Sequence, residues 1–268
     1  MSMTSEPGTR TYQVTVGDQF VDLTVEERGE GRPFLLLHGG AGPASMARFA
    51  GLLAERLHSH VFVPTHPGFA RTPRPESLNS VRGLAKLYAA LLGQLDTSDV
   101  TVVGNSVGGW IAAELALLAP PQVGRYVLVG ATGIEVPGHP IPDTSKMNLD
   151  DLMKLSYHNP EPFKIDLSKM TELQRAVGAS NRATLQVYAP LMTDPSLAER
   201  LKTVTTPVLV ISGDSDRIVD PAYGRAYSSA IPGSAYELLL GTGHLPQIET
   251  PEPLLEAISR FLPSHPAQ

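Results

Sequence analysis

The spacing of hydrophobic residues changes along the chain. In Tyr12–Val16 and Phe20–Val25 apolar and polar residues alternate, and Gly17-Asp18 lies between the two segments. This pattern predicts two antiparallel strands joined by a tight turn. Later short runs are apolar at every position, which is typical of strands buried on both faces of a parallel sheet. These runs are Phe34–Leu37, Val61–Val63, Val100–Val103, Tyr126–Val129 and Val208–Ile211.

Segments with a helical pattern lie between the first buried runs, at Ala44–Leu57, Val81–Leu95 and Val107–Ala119. Alternating strands and helices predict a parallel sheet with helices on both faces. At Asp220-Pro221 and Thr250-Pro251 a capping residue precedes a proline, which predicts two later helix starts. We therefore predict an α/β fold with a mostly parallel central sheet.

The alternation stops after Gly130 and resumes after Pro207. The stretch between them lacks strand-like runs, starts with a segment rich in Pro and Gly, and continues with helical segments. We predict a first core part over residues 1–134, a helical cap over 135–203 and a second core part over 204–268. The helical segments of the cap are Leu149–Tyr157, Glu172–Leu191 and Ser196–Thr203.

Composition narrows the classes of function. The 268 residues include no cysteine, which excludes disulfide scaffolds, zinc–thiolate sites, iron–sulfur clusters and cysteine nucleophiles. The net charge is −6 and no run of Lys or Arg is present, so a nucleic-acid partner is not expected. The first ten residues lack the apolar core of a signal peptide, and Ile111–Ala119, interrupted by Glu114, is too short to cross a membrane. We expect a cytoplasmic protein with a small-molecule substrate, no membrane partner, no metal and no cofactor; a homodimer is left open.

A candidate nucleophile, Ser106, lies between a buried strand and a helix. The sequence there is GNSVGG, residues 104–109, which matches G-x-S-x-G. Glycine at 104 and 108 permits a turn so tight that a Cβ would clash, and this turn presents a strained serine at the N-terminus of a helix. The alternative is a glycine-rich turn that only packs the helix on the strand.

A glycine-rich loop, HGGAGP at residues 38–43, follows the run Phe34–Leu37. Acyl transfer needs two backbone N–H donors for the oxyanion of its tetrahedral intermediate. We predict Val107, beside the nucleophile, as one donor and Gly40 as the other. A phosphate-binding loop is the alternative, but neither GxGxxG nor GxxxxGK[ST] is present.

The candidate general base is His244, in the segment GTGH that follows the strand-like Tyr236–Leu240. It comes after the candidate serine and acid, which gives the chain order Ser…Asp…His. His38 and His66 are competing bases. We predict that His38 braces the glycine-rich loop and that His66 is structural or lines the rim of the site.

The candidate acid lies in ISGDSDRIVDP, residues 211–221, where three aspartates follow one strand. Asp220 is predicted to cap the next helix. Asp214 is near enough to the strand end to bond the turn backbone, whereas Asp216 lies further along the loop, within reach of a histidine on the next loop. We favour Asp216 as the group that holds the imidazole tautomer, with Asp214 as the alternative.

These segments together resemble the α/β-hydrolase fold superfamily over essentially the whole chain. The resemblance implies that the acid stands three residues after Gly213, which is Asp216, and that Gly40 supplies an oxyanion N–H. It implies a lid after the sixth core strand, and a serine hydrolase with a Ser-His-Asp triad, foremost a carboxylic ester hydrolase acting on a small to medium hydrophobic substrate. The segments are HGG (38–40), HPGFART (66–72), GNSVGG (104–109), GDSDRIVD (213–220) and GHLPQIETPE (243–252).

Other branches of the superfamily supply alternatives. Serine at 106 argues against the epoxide hydrolases and haloalkane dehalogenases, which have Asp there. GNSVGG and the cap resemble carbon–carbon bond hydrolases of aromatic-ring cleavage products, although these often have Trp where this chain has Leu245. In that branch Arg182 would bind the carboxylate of a vinylogous diketone acid; a solvated helix residue is the other interpretation. A lyase or perhydrolase, and a noncatalytic ligand-binding protein, also stay open.

Further candidates for substrate contact are Gly39, Asn105 and Leu245 beside the triad, and Arg182 and Tyr188 in the cap. The Met and Leu residues of the cap would form an adaptable apolar lining or, alternatively, the core of the cap itself.

Overall fold

The computed structural model describes residues 8–144 and 146–263. Residues 1–7 and 264–268 lie outside the described residues. The first range includes most of the ten residues in which no signal peptide is expected, and the second is the end of the predicted second core part. The described strands are β1 Gly8–Val16, β2 Gln19–Arg28, β3 Arg32–Leu37, β4 Ser59–Pro64, β5 Val100–Asn105, β6 Val123–Val129, β7 Val208–Gly213 and β8 Ala235–Leu239.

These strands form one sheet in the order β1-β2-β4-β3-β5-β6-β7-β8. β1 pairs antiparallel with β2, and β2 antiparallel with β4, while all later neighbours are parallel. Val16 pairs with Gln19, so Gly17-Asp18 forms the predicted two-residue turn, with Gly17 at φ 63°. The predicted α/β fold with a mostly parallel sheet is confirmed.

Helices cover both faces of the sheet. Alternate residues of a strand point to opposite sides. Leu35 and Leu37 belong to a buried cluster with the helices at 81–94 and 107–118, whereas Phe34 and Leu36 belong to a second cluster with the helices at 47–56 and 251–261. The runs predicted as strands buried on both faces are therefore confirmed. The described α-helices are α1 Ala47–Arg56, α2 Val81–Gln94, α3 Val107–Leu118, α4 Leu149–Ser156, α5 Glu172–Tyr188, α6 Leu197–Leu201, α7 Pro221–Ser229, α8 Pro246–Glu249 and α9 Pro251–Phe261.

The strand order locates the functional loops. β3 lies between β4 and β5, so the chain leaves β3 toward one edge of the sheet and later returns on its other side. Leu37 pairs with Gly104, which brings the carboxyl ends of β3 and β5 side by side. Ligands of open parallel sheets bind outside the carboxyl ends where the strand order reverses. The glycine-rich loop and Ser106 both start at this point.

The predicted cap lies between β6 and β7, and its helices differ from the prediction in two respects. α5 ends at Tyr188 instead of Leu191, because Pro190 disfavours helical backbone at the residue before it. α6 packs on the core: Leu197 and Leu201 are fully buried in the cluster that contains α3. The last helix of the predicted cap, α6, therefore packs on the core.

Both predicted helix starts occur, but only one has the predicted cap. Oδ1 of Asp220 accepts from the backbone N–H of Tyr223 at 2.8 Å. The prediction for Thr250 was wrong, because its hydroxyl bonds the hydroxyl of Thr242 at 2.9 Å and caps nothing. Thr250 instead links the start of α9 to the loop that precedes His244.

Within residues 8–144 and 146–263, no helix has the length and apolar character needed to cross a membrane. Across the same residues, no group of three or more His, Asp or Glu side chains is arranged to hold a metal ion.

Candidate active site

Ser106 forms the turn between β5 and α3, with φ 57° and ψ −122°. A non-glycine residue held in such a conformation costs about 1–3 kcal/mol. The N–H of Ser106 donates to the carbonyl of Val129 at 2.9 Å, and its carbonyl accepts from the N–H groups of Gly109 at 2.9 Å and Thr132 at 3.2 Å. These bonds to β6, to the segment after it and to the first turn of α3 hold the strained turn in place.

Two glycines allow this turn to form. A Cβ on Gly104 would lie 2.2 Å from the carbonyl oxygen of Gly108, and a Cβ on Gly108 would lie 2.1 Å from the carbonyl oxygen of Leu37. Both neighbours are backbone atoms of packed elements and cannot move aside cheaply. The close approach of α3 to β3 and β5 therefore requires glycine at both positions.

His244, in the loop after β8, is paired with Asp216, in the loop after β7. Nδ1 of His244 lies 2.8 Å from Oδ2 of Asp216, and both side chains are buried. Oδ1 of Asp216 accepts from the N–H groups of Ile218 at 2.8 Å and Val219 at 3.0 Å. Because an ionised carboxylate only accepts hydrogen bonds, it keeps the proton on Nδ1 and leaves Nε2 free to accept one.

Asp214, the alternative acid, is exposed and holds a loop instead. Its Oδ1 accepts from the N–H of Thr242 at 3.1 Å and the hydroxyl of Ser215 at 2.9 Å. Partial burial raises the pKa of Asp214, but these bonds and one from the N–H of Gly241 outweigh it, and the pKa is lowered. Asp214 thus fixes the loop that carries His244, and the geometry favours Asp216 as the partner of the histidine.

The loop after β3 runs alongside the candidate nucleophile. A Cβ on Gly39 would lie 2.9 Å from the Cβ of Ser106, and a Cβ on Gly40 would lie 2.9 Å from a methyl group of Leu185 in α5. Val107 is the first residue of α3, where backbone N–H groups lack partners within the helix. Of the two predicted oxyanion donors, Gly40 follows the glycine that lies against Ser106, and Val107 directly follows Ser106.

A buried pair of histidines supports the glycine-rich loop. The rings of His38 and His66 stack with their centroids 3.7 Å apart. The backbone N–H of His66 donates to Nε2 of His38 at 3.1 Å, and Nε2 of His66 lies 2.8 Å from the carbonyl oxygen of His38. Nδ1 of His66 is bonded to the hydroxyl of Tyr88. The contacts agree with the expected bracing role of His38, and His66 is buried, so it does not line the rim.

Burial keeps this histidine pair neutral. It lowers the pKa of His66 to about 4. Burial, together with the neighbouring His66, also lowers the pKa of His38 well below its ordinary value. The neutral rings match their bonds, since each has one nitrogen that accepts and one that can donate. Neither ring is a free base, which disfavours both as the competing general base.

One face of α5 is attached to the backbone of the loop at residues 67–70. Asn181 accepts from an N–H at 2.7 Å, Thr184 donates to a carbonyl at 3.0 Å, and Tyr188 donates to a carbonyl at 2.8 Å. All three side chains are buried and follow one another on one side of the helix. Their partners, in that order, are Ala70, Gly68 and Pro67.

Two predicted substrate contacts of the cap are placed differently from the prediction. Arg182 is exposed, while its neighbour Asn181 faces the loop. This position does not support a carboxylate-binding role for Arg182. Tyr188 is buried and its hydroxyl is used in the loop attachment, which gives it a structural role.

The three residues predicted to contact substrate beside the candidate triad, Gly39, Asn105 and Leu245, have different surroundings. Gly39 lies against Ser106, as described above, and Leu245 is partly exposed directly after His244. Nδ2 of Asn105 donates to the carbonyls of Val129 at 3.1 Å and His244 at 2.9 Å. Its Oδ1 accepts from Gln247 at 3.0 Å. The amide of Asn105 is therefore occupied in positioning the loop of His244 instead of binding substrate.

Sequence reasoning missed three residues of this site. Gln247 bonds Asn105, the residue before Ser106, and Asn181 bonds the loop at residues 67–70. Gly130 (φ 51°) leaves room for His244, since a Cβ there would lie 3.1 Å from its Nδ1. Buried amides at helix positions give no motif of their own. Gly130 could have been found, because it directly follows the predicted strand Tyr126–Val129, where a glycine indicates a close contact or a turn.

Comparison with known proteins assigns the class. The family model described as the alpha/beta hydrolase family matches residues 34–257, and the chain belongs to that family. It is 28% identical over 261 residues to a 2-hydroxy-6-oxo-6-(2'-aminophenyl)hexa-2,4-dienoic acid hydrolase of Metapseudomonas resinovorans, covering 90% of this chain and 88% of that one.

Two solved structures share the fold. One is a meta-cleavage product hydrolase from Pseudomonas fluorescens IP01, with a TM-score of 0.75 and 20% identity over 93% of this chain and 96% of that one. The other is a thermophilic esterase from Thermogutta terrifontis, with a TM-score of 0.73 and 21% identity over 95% of this chain and 98% of that one.

Gly108→Ala should destabilise the fold by about 3 kcal/mol or more, because its Cβ meets two backbone carbonyls at 2.1 and 2.6 Å. Gly93→Ala in α2 is the matched control. Nothing lies within 4 Å of its Cβ, so it should be neutral or stabilise by up to about 1 kcal/mol. Urea unfolding at pH 7 measures both, and equal stabilities would contradict the account of the turn.

The stability of the fold should decrease between pH 7 and pH 5. A histidine with a pKa of about 4 when folded and about 6.5 when unfolded binds its proton only in the unfolded state over this range, so acid favours unfolding. His66 alone accounts for about 2 kcal/mol of this loss. Urea unfolding at several pH values measures the slope. His66→Asn should reduce the slope, with exposed His58→Asn as the matched control variant, and a flat wild-type profile would disprove neutral burial.

Proposed function

We propose that the protein is a serine hydrolase in which Ser106 is the nucleophile, His244 the general base and Asp216 its orienting acid. The observation that carries the proposal is the convergence of four loops, after β3, β5, β7 and β8, at the carboxyl edge of the sheet. These loops carry a serine on a strained turn, a histidine paired with a buried carboxylate at 2.8 Å, and a glycine-rich segment against the serine.

The reaction follows from the donors and acceptors of these groups. Nε2 of His244 accepts the proton of the Ser106 hydroxyl while the serine oxygen attacks the substrate carbonyl carbon. The N–H groups of Gly40 and Val107 bind the resulting oxyanion. The bond to the leaving alcohol then breaks, and His244 returns the proton to it. Water, deprotonated by His244, cleaves the acyl-enzyme to the free acid and Ser106.

We propose a carboxylic ester of a small to medium hydrophobic acid as the substrate. Two apolar side chains lie beside the proposed catalytic groups: Leu185 against Gly40, and Leu245 directly after His244. Such a lining gains free energy from apolar substrate surface removed from water. The likeness to the Thermogutta esterase agrees with this proposal at the level of the fold.

A second candidate is hydrolysis of a carbon–carbon bond in a vinylogous diketone acid. The names of the Metapseudomonas and Pseudomonas fluorescens proteins favour it. The same base and oxyanion donors suit this reaction, but its substrate carries a carboxylate that needs a cationic partner, and Arg182 is exposed on α5. Lyase or perhydrolase chemistry and noncatalytic ligand binding are further alternatives for the same site. Multiple turnover of an ester distinguishes an enzyme from a ligand-binding protein, and the products distinguish hydrolysis from the other two reactions.

Ser106→Ala should lower kcat on p-nitrophenyl esters by at least about 10³-fold, because the variant cannot form the acyl-enzyme. A series of esters from acetyl to dodecanoyl measures this and sizes the acyl pocket by its optimum. Activity retained in Ser106→Ala would exclude Ser106 as nucleophile. A folded wild type without ester turnover would move the proposal to the diketone acid or to ligand binding.

Arg182→Ala should keep kcat/KM within about twofold on both a p-nitrophenyl ester and 2-hydroxy-6-oxo-6-phenylhexa-2,4-dienoate, since an exposed side chain contributes little. The absorbance of the dienoate reports its cleavage. A loss of more than about tenfold confined to the dienoate would make Arg182 the carboxylate partner and favour the carbon–carbon bond hydrolase.

A further inference from the structure

Glu249, the last residue of α8, binds three backbone N–H groups with one carboxylate. Its Oε2 accepts from Gly243 at 2.7 Å and from His158 at 3.2 Å, and its Oε1 accepts from Asn159 at 2.9 Å. Gly243 directly precedes the candidate base. His158 and Asn159 directly follow α4 and Tyr157, in the helical segment between β6 and β7. The carboxylate therefore joins two segments that are far apart in sequence.

A second set of bonds joins the same two segments. The N–H of His244 donates to the carbonyl of Ser156, the last residue of α4, at 2.7 Å. A Cβ on Gly243 would lie 2.3 Å from that carbonyl oxygen, so the backbones are in direct contact. The last carbonyls of a helix have no partner within the helix. Here the N–H of His244 is the partner of the Ser156 carbonyl, and Glu249 bonds the N–H of the residue before it, Gly243.

The loop of the acid is attached to the same helix end. The backbone N–H of Arg217, next to Asp216, donates to the carbonyl of Leu155 at 3.1 Å, and its guanidinium donates to the carbonyl of Lys154 at 2.6 Å. The C-terminus of α4 thus contacts the loops of both His244 and Asp216.

We propose that Glu249 is a positioning residue for the reaction: its carboxylate clamps the Gly243–His244 backbone against the end of α4 and so keeps the imidazole aligned between Ser106 and Asp216. This inference rests on the proposed function, in which His244 is the base. A carboxylate suits the clamp because it accepts at both oxygens, and bonds to an ionised acceptor are stronger than neutral ones. An amide at this position would present an NH₂ group to a backbone N–H.

The test compares Glu249→Gln and Glu249→Asp with Glu252→Gln. Glu252 lies three residues further along the chain. It is exposed and forms an ion pair with Arg56, which is also exposed. Turnover of a p-nitrophenyl ester is measured at a temperature well below the melting point of every variant, with folded protein quantified by circular dichroism. Amide hydrogen exchange is followed for peptides that contain residues 157–160 and 241–245.

We expect Glu249→Gln to lower kcat by about tenfold or more while KM changes less than about threefold, because the base is displaced and the substrate surface is kept. Glu249→Asp, which keeps the charge on a shorter side chain, should recover part of kcat. Glu252→Gln should stay within about twofold of the wild type. Both peptides should exchange faster in Glu249→Gln and not in the control.

Wild-type kcat in Glu249→Gln would overturn the proposal, and so would a loss of kcat without faster exchange in the two peptides. A tenfold rise in KM at constant kcat would also count against it, because it would indicate a substrate contact. If the wild type shows no turnover at all, the proposed function fails separately. The exchange experiment then decides the clamp, and unchanged exchange in Glu249→Gln refutes it.

Discussion

The site depends on a serine held in a backbone conformation that serine avoids. At φ 57° and ψ −122° the turn at Ser106 is unfavourable by itself, and it persists because its N–H and carbonyl are bonded to neighbouring segments and because α3 packs against β3 and β5. That packing in turn requires glycine at 104 and 108. The strain is offset by core packing, so the conformation of this one serine is tied to the packing of the sheet.

Much of the sheet was predictable because its strands have a simple physical signature. A strand covered on both faces must be apolar at every position, and the runs at Phe34, Val100 and Val208 carry that signature. The turn at Ser106 was predictable for a related reason: it is flanked by glycines that a tight turn needs. The choice between Asp214 and Asp216 needed three-dimensional information, because the two side chains are chemically identical. Asp216 bonds the ring of His244, whereas Asp214 bonds the backbone N–H of Thr242.

The contacts of the helical segment were not predictable in the same way. Asn181 and Arg182 are adjacent polar residues of one helix, and the direction of each side chain depends on how α5 docks, which no local pattern records. The buried one is the shorter residue, whose amide matches a backbone group. Likewise α6 resembles the cap helices in sequence but packs on α3, because Leu197 and Leu201 meet the core cluster.

The attachment of α5 has a consequence for how this protein tolerates change. The bonds from Asn181, Thr184 and Tyr188 all end on backbone atoms of the loop at residues 67–70. Backbone atoms are common to nearly all residue types, but the side chains of this loop are constrained as well. Pro67, Gly68 and Phe69 are buried, and a Cβ on Gly68 (φ 89°) would lie 2.8 Å from the methyl group of Thr184. A side chain at position 68 would push Thr184 away from the carbonyl that it bonds, so helix and loop can change at this contact only together.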